Sequence, residues 1–387
     1  MTRSTPIREP WVDALRALAL LGVFLVNGMG YPSAPNYPMP LGAPMPADSV
    51  IAIWINGFLA AFVQGKAYPL LCFLFGYSLC IIAFQSHTDE SAVKARLKLR
   101  CKKMLLVGIL HGAFVYFGDV LTAYAICGLT AVRWVTIRPA RLLRIFKILS
   151  IINSVILLLL AIAGLIIWFD NGNIDPSYAK DIARNFINLD TLQTFLRENF
   201  DRYVEGNLYG LYLLPLYLWL IVTGILVSRF KLLGSRSYSH KFWAKHLNKW
   251  HFITALILNL IISICMAYVQ SVPSLSKLIA LGAISTPVNI WLVAATLAAG
   301  MRHWHKTQQL PNWVYWLAPA GKHTLAMYLA LSLGLMLSGG AFLNIQLSTA
   351  VQFIVVVFAW ICAIFLAKHA TDRGFRDPIA RWISVKY

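Results

Sequence analysis

The chain has 387 residues, 59% of them hydrophobic and only 13% charged, with a mean hydropathy of +0.66. Soluble domains carry about 25% charged residues, so this composition excludes an ordinary soluble domain and a disordered chain alike. The net charge of +19 is carried by basic residues in short stretches between apolar runs, a positive-inside membrane pattern rather than a nucleic-acid-binding face.

A membrane-crossing helix needs about 20 apolar residues. Runs that meet or approach this lie at 12–30, 48–65, 67–85, 103–118, 119–136, 146–169, 207–229, 251–270, 278–300, 313–337 and 349–368. They predict an all-α, polytopic protein of about eleven crossings, built as one membrane domain over 1–387. The first run has no small-residue cleavage site after it and carries Arg16, so no cleavable signal peptide is expected. Asp13 lies three residues before Arg16, placing an acid and a base on one helix face. Asn27 ends this run, and six prolines follow before Asp48, which excludes a continuous helix there. The six cysteines lie in or beside apolar runs without CxxC spacing. Neither a disulfide framework nor a zinc site is expected, and no metal is assigned.

Basic residues crowd the stretches at 94–103, 133–147, 229–249 and 302–306 and the tail from Lys368. All fall on one side, the cytoplasmic side by the positive-inside rule, with the C-terminus. The segment at 170–206 falls on the other side as an extracytoplasmic loop, with a short amphipathic helix expected near Asp181 to Arg202. Counting back gives an extracytoplasmic N-terminus. If 48–65 does not cross, ten helices remain and the N-terminus is cytoplasmic.

Intramembrane charges are costly and mark functional sites or structural ion pairs. Asp13, Arg16, Lys66 and Asp119 are expected toward the extracytoplasmic ends of their helices, either as a structural network or as a pocket for an anionic or hydroxylated acceptor. His111 is expected about midway along the fourth helix, with Gly108 and Gly112 leaving room for a neighbouring helix or a ligand. Lys322 and His323 are expected at similar depth, after Pro319 and Gly321, in an interrupted helix. Each histidine is either a satisfied core residue or a general base. Tryptophans at span ends, Trp11 among them, read as interface belts. No GxSxG, HExxH or GxGxxG sequence is present.

Several of these stretches form a set. WVDALRALALLGVFLVN (11–27), GKAYPLLCFLFGY (65–77), LHGAFVYFGDVLTAYAICGL (110–129), APAGKHTLAMYL (318–329) and RDPIARW (376–382) resemble, in order, the motifs of the YeiB family of bacterial inner-membrane proteins. The resemblance runs from end to end, with departures: Ala17 stands at a family glycine, and Lys322, Met327 and Leu331 replace Arg, Asn and Gln. The closing motif lacks its Gly-Pro-aromatic core. That family is similar to transmembrane acyltransferases that include heparan-alpha-glucosaminide N-acetyltransferase, which have eleven helices and the N-terminus outside. Their loop histidine after the first helix has no counterpart in 28–48.

The resemblance implies a multi-pass protein of the bacterial inner membrane. It would transfer an acyl group from acyl-CoA or acetyl-CoA to an extracytoplasmic sugar, lipid or secreted metabolite. His111, Asp119 and His323 are the candidate catalytic residues. Asp13, Arg16, Asn27, Lys66, Tyr124, Lys322 and Tyr328 are the candidate binding residues, with the donor entering near Asn27 and the basic loops. A small-molecule transporter is the rival reading. Membrane lipids are the expected partners, nucleic acid is not, and a homodimer is left open.

Overall fold

Inside hydrocarbon, main-chain polar groups have no water to bond, and helices satisfy them within one segment. The computed structural model obeys this: it is helical, with no strand, over its described residues 9–30, 49–85, 89–169, 192–233, 237–271, 275–338, 347–375 and 377–383. The helices are α1 (Pro10–Gly30), α2 (Val50–Phe62), α3 (Ala67–Gln85), α4 (Glu90–Phe114), α5 (Leu121–Ala131), α6 (Pro139–Phe169) and α7 (Leu192–Tyr209). A 3-10 turn, Gly210–Leu213, leads into α8 (Leu214–Arg229). Then come α9 (Ser237–His246), α10 (Lys249–Ser271), α11 (Leu275–Thr307), α12 (Asn312–Lys322), α13 (Thr324–Ser338), α14 (Thr349–Asp372) and α15 (Pro378–Ile383).

Seven helical segments are long and apolar enough to cross a membrane, among the described residues. Every predicted run falls on helix, but several are too short to cross alone. The α2 helix has 13 residues, α5 has 11 and α12 has 11. The α12–α13 break falls at His323, whose N–H turns back onto Ala320 O, so the interrupted tenth run is realised. Of the helix expected near Asp181 to Arg202, only the part from Leu192 lies within the described residues, as α7.

The bundle is held by close helix crossings at glycine. A Cβ on Gly76 of α3 would sit 2.0 Å from Ile221 O of α8, and one on Gly224 of α8 would sit 2.0 Å from Phe73 O of α3. A Cβ on Gly321 of α12 would sit 1.8 Å from Asp13 O of α1. Small residues at these points let backbones touch, the usual source of contact energy between helices in lipid.

The contacts also sort the helix ends. Trp11 packs on Trp304 of α11 and edge-on to Tyr77 of α3. A core of Trp11, Val12, Tyr77, Val227, Trp243, Met301 and Val314 therefore gathers the start of α1 with the middle of α3 and the last turns of α8 and α11. Arg229 lies over Phe84 and donates to Val135 O, while Thr136 donates to Glu90. The start of α1 thus lies at the end of the bundle that carries the basic stretches. Trp11 is 4% exposed, so it belongs to that core and not to an interface belt. At the opposite end Gln352 of α14 donates to Gly28 O (2.5 Å), and Tyr116, Phe195 and Met336 pack together.

At 1.5 Å per residue the 25 residues of α4 rise about 37 Å and the 11 of α5 about 17 Å. The α4–α5 hairpin runs out from the basic end and turns at residues 115–120, where α7 packs on it.

Candidate functional site

The hairpin turn holds an acid–base pair. Asp119 Oδ2 accepts from the N–H of Thr122 (2.8 Å) and from its hydroxyl (2.9 Å), closing the first turn of α5 as an N-cap would. That fixes the carboxylate and leaves Oδ1 facing His111 Nδ1 at 2.9 Å. The His111 and Asp119 side chains are 2% and 0% exposed. His111 Nε2 is buried and has no hydrogen-bond partner among the described residues. With Asp119 accepting at Nδ1, that nitrogen carries a proton, and Nε2 is left buried without a partner among the described residues.

Neighbours complete the surround. Tyr328 of α13 lies 4.8 Å from the imidazole, ring to ring, and its hydroxyl donates to Asp119 Oδ1 at 3.4 Å, a long bond. The Tyr203 hydroxyl meets that of Thr122 at 3.0 Å. The glycines flanking His111 have specific jobs. A Cβ at Gly108 would meet Thr122 N at 2.6 Å, and one at Gly112 would meet the Tyr203 ring at 2.2 Å. The room they leave admits the start of α5 and Tyr203. Asn199 of α7 donates to Gly112 O (2.8 Å) and Ala113 O (2.9 Å) and accepts from Phe117 N (2.9 Å). It thereby satisfies the carbonyls at the end of α4, which have no partner within the helix, and seats α7 over the turn.

His111, Asp119 and Tyr328 are thus brought together, with Thr122, Tyr203 and Asn199 beside them. The last three were not singled out from sequence: Tyr203 and Asn199 lie in a stretch read as an extramembrane loop, and only the apolar positions around them hint that it packs. His111 is in the last turn of α4, not midway, because α4 reaches back to Glu90 and ends at Phe114.

The remaining candidates are elsewhere. Asp13 and Arg16 pair at 2.5 Å at the basic end, where Arg16 also donates to Ser78. Beside them Tyr77 donates to Glu9 (2.9 Å), whose carboxyl is raised above its usual range by burial, with the Tyr77 bond pulling it back. The expectation that Asp13, Arg16, Lys66 and Asp119 share one level is therefore not met, because the start of α1 lies at the basic end. His323 is hydrogen-bonded to Thr371 (3.2 Å) near the end of α14, so it does not join His111. Lys322, half-buried, ends α12. Asn27 lies beside Gly28 at the end opposite the basic stretches, which removes it from a donor entrance among them. Tyr124 is buried in the α3–α5–α8 core and donates to Tyr68 O (3.1 Å).

These features define a polytopic helical membrane protein with an acid–base pair buried in its interior. Among curated proteins, the chain is similar to "Uncharacterized protein YeiB" of Escherichia coli, 29% identical over 41% of this chain and 38% of that one. It is similar to the uncharacterized 39.9 kDa protein in the amylase 3' region of Bacillus acidopullulyticus, 34% identical over 30% of this chain and 31% of that one. A third relative is the uncharacterized protein YxaH of Bacillus subtilis, 26% identical over 34% of each chain. The matches span about a third of the relatives' length. No family model and no solved structure matches.

Proposed function

We propose that the chain is a YeiB-like acyltransferase of a bacterial cytoplasmic membrane, using a cytosolic acyl-CoA or acetyl-CoA as donor substrate. The observation that carries this reading is the buried His111 Nε2, aimed inward without a partner while Nδ1 is held by Asp119. His111 takes the proton from an acceptor hydroxyl or amine as its oxygen or nitrogen attacks the thioester carbonyl. The C–S bond breaks, and the same proton passes to the departing CoA thiolate. Asp119 holds the tautomer and stabilises the imidazolium. The acceptor is a sugar, lipid or secreted metabolite that reaches the turn from the end opposite the basic stretches. The basic end attracts the phosphates of the donor.

In this arrangement α2 does not cross. The start of α1 shares an end with the basic stretches, so the N-terminus is cytoplasmic and ten crossings remain, counting α4, α5 and the broken α12–α13. The rival reading, a small-molecule exporter, draws on the Asp13–Arg16 pair, in which the buried Asp13 Oδ2 has no partner among the described residues; intramembrane acids serve proton-coupled transport.

Acyl transfer from radiolabelled acetyl-CoA, into the lipid and glycan fractions of membranes carrying the purified protein, tests the proposal. His111→Ala is expected to lower the rate about 10²–10⁴-fold. Wild-type rates in that variant end the catalytic assignment. Efflux from proteoliposomes that needs no thioester supports the exporter.

A further inference from the structure

Lys66 is 8% exposed, yet it has no carboxylate within ion-pair reach among the described residues. Its ammonium donates to Ala60 O (3.1 Å) and Gln64 O (3.0 Å). These carbonyls close the turn between α2 and α3 but carry only partial charge. The helix dipoles do not help, because the carbonyl end of α2 and the amide end of α3 meet here and offset each other. A buried ammonium without a counter-ion is strongly unfavourable.

The surroundings are polar and come from other helices. Gly65 holds a left-handed backbone (φ 72°), and a Cβ there would meet Asn289 Nδ2 of α11 at 2.3 Å, so that amide is pressed against the turn. Asn259 of α10 donates to Ala61 O (2.7 Å), one turn before the glycine. Both asparagines are buried. The 19 residues of α3 separate Lys66 from the basic end, a rise of about 28 Å. That is roughly the full hydrocarbon thickness, and it brings Lys66 to the level of the opposite headgroups.

We propose that Lys66 is the cationic centre of an oxyanion site at the end of the bundle opposite the basic stretches, taking a phosphate group. The phosphate comes from an anionic lipid headgroup or from a phosphorylated solute. A lysine suits this chemistry as a point charge on a phosphate oxygen. The site is separate from the His111–Asp119 pair and does not rest on acyl transfer.

The test uses full-length protein in phosphate-free dodecyl maltoside, with phosphatidylglycerol or inorganic phosphate added. Acetylation of Lys66 by an amine reagent is read by peptide mass spectrometry, with exposed Lys98 as internal control, alongside the melting temperature. Either anion is expected to protect Lys66 at least about fivefold relative to Lys98 and to raise the melting temperature. Protection by phosphatidylglycerol alone assigns a lipid headgroup; protection by inorganic phosphate assigns a solute site. Lys66→Gln, which keeps a donor for the turn carbonyls but no charge, is expected to lose the melting shift. No anion-dependent change in wild type, or an equal shift in Lys66→Gln, overturns the site. Neither readout involves acyl transfer, so failure here and failure of the dyad are told apart.

Discussion

Asp119 does two jobs with two oxygens, and they predict separable effects. Asp119→Asn keeps an acceptor for the Thr122 N–H, so α5 should still start where it does. An amide in place of the carboxylate no longer stabilises an imidazolium, and acyl transfer is expected to fall by about 10²-fold or more with little change in melting temperature. Thr122→Ala should do the reverse, costing roughly 1 kcal/mol of stability with a modest rate effect. A variant pair in which both quantities move together would contradict this division. His240 of α9 gives a pH prediction at the same scale. Its ring stacks on His305 at 4.3 Å. Burial, then the nearby His305, Lys306 and Arg302, hold its pKa below the usual histidine value. The unfolded chain therefore binds this proton more readily than the folded one, and stability is lost as pH falls below about 6.5. Melting curves between pH 7.5 and 5.5 should show this drop, and it should shrink in His240→Gln.

Among elements, the crossings of α3 with α8 and of α1 with α12 depend on glycines with no room for a methyl. Gly321→Ala is expected to cost about 1–3 kcal/mol or more, because the obstacle is the main-chain carbonyl of Asp13, which cannot rotate away. Fluorescence-detected size exclusion on heated samples would read the loss. The α7 helix is seated on the hairpin by Asn199, with Tyr203 and Phe195 beside it. Asn199→Ala strands two buried carbonyls and one N–H at the hairpin turn, at a cost of about 2 kcal/mol, and should loosen α7 without unfolding the bundle, as seen by faster proteolysis near residue 200. Helix positions were legible in the sequence because apolar runs, prolines and glycines mark them. The 323 break could be read from Pro319 and Gly321. What α7 does could not: whether Asn199 bonds water or the end of α4 is decided by tertiary packing, which local pattern does not encode.

For the whole molecule, the basic stretches were readable as one side, and their clustering holds in three dimensions. The level of the early charges was not. A span count treats 48–65 as a full crossing, whereas α2 has 13 residues; on the proposed ten-crossing arrangement that difference moves Asp13 and Arg16 to the basic end. Reporter fusions after residue 8 and at residue 190 give a direct check. The first is expected to face the cytoplasm and the second the opposite side; the same side for both would refute ten crossings. His111, Asp119 and Tyr328 could each be named from sequence, whereas their meeting in space required α13 to cross the hairpin.

The hairpin turn covered by α7 has a further consequence for permeability. With α7 laid across the turn, the proposed transfer needs no continuous file of water. Proteoliposomes turning over should therefore hold an imposed proton gradient as long as empty ones do.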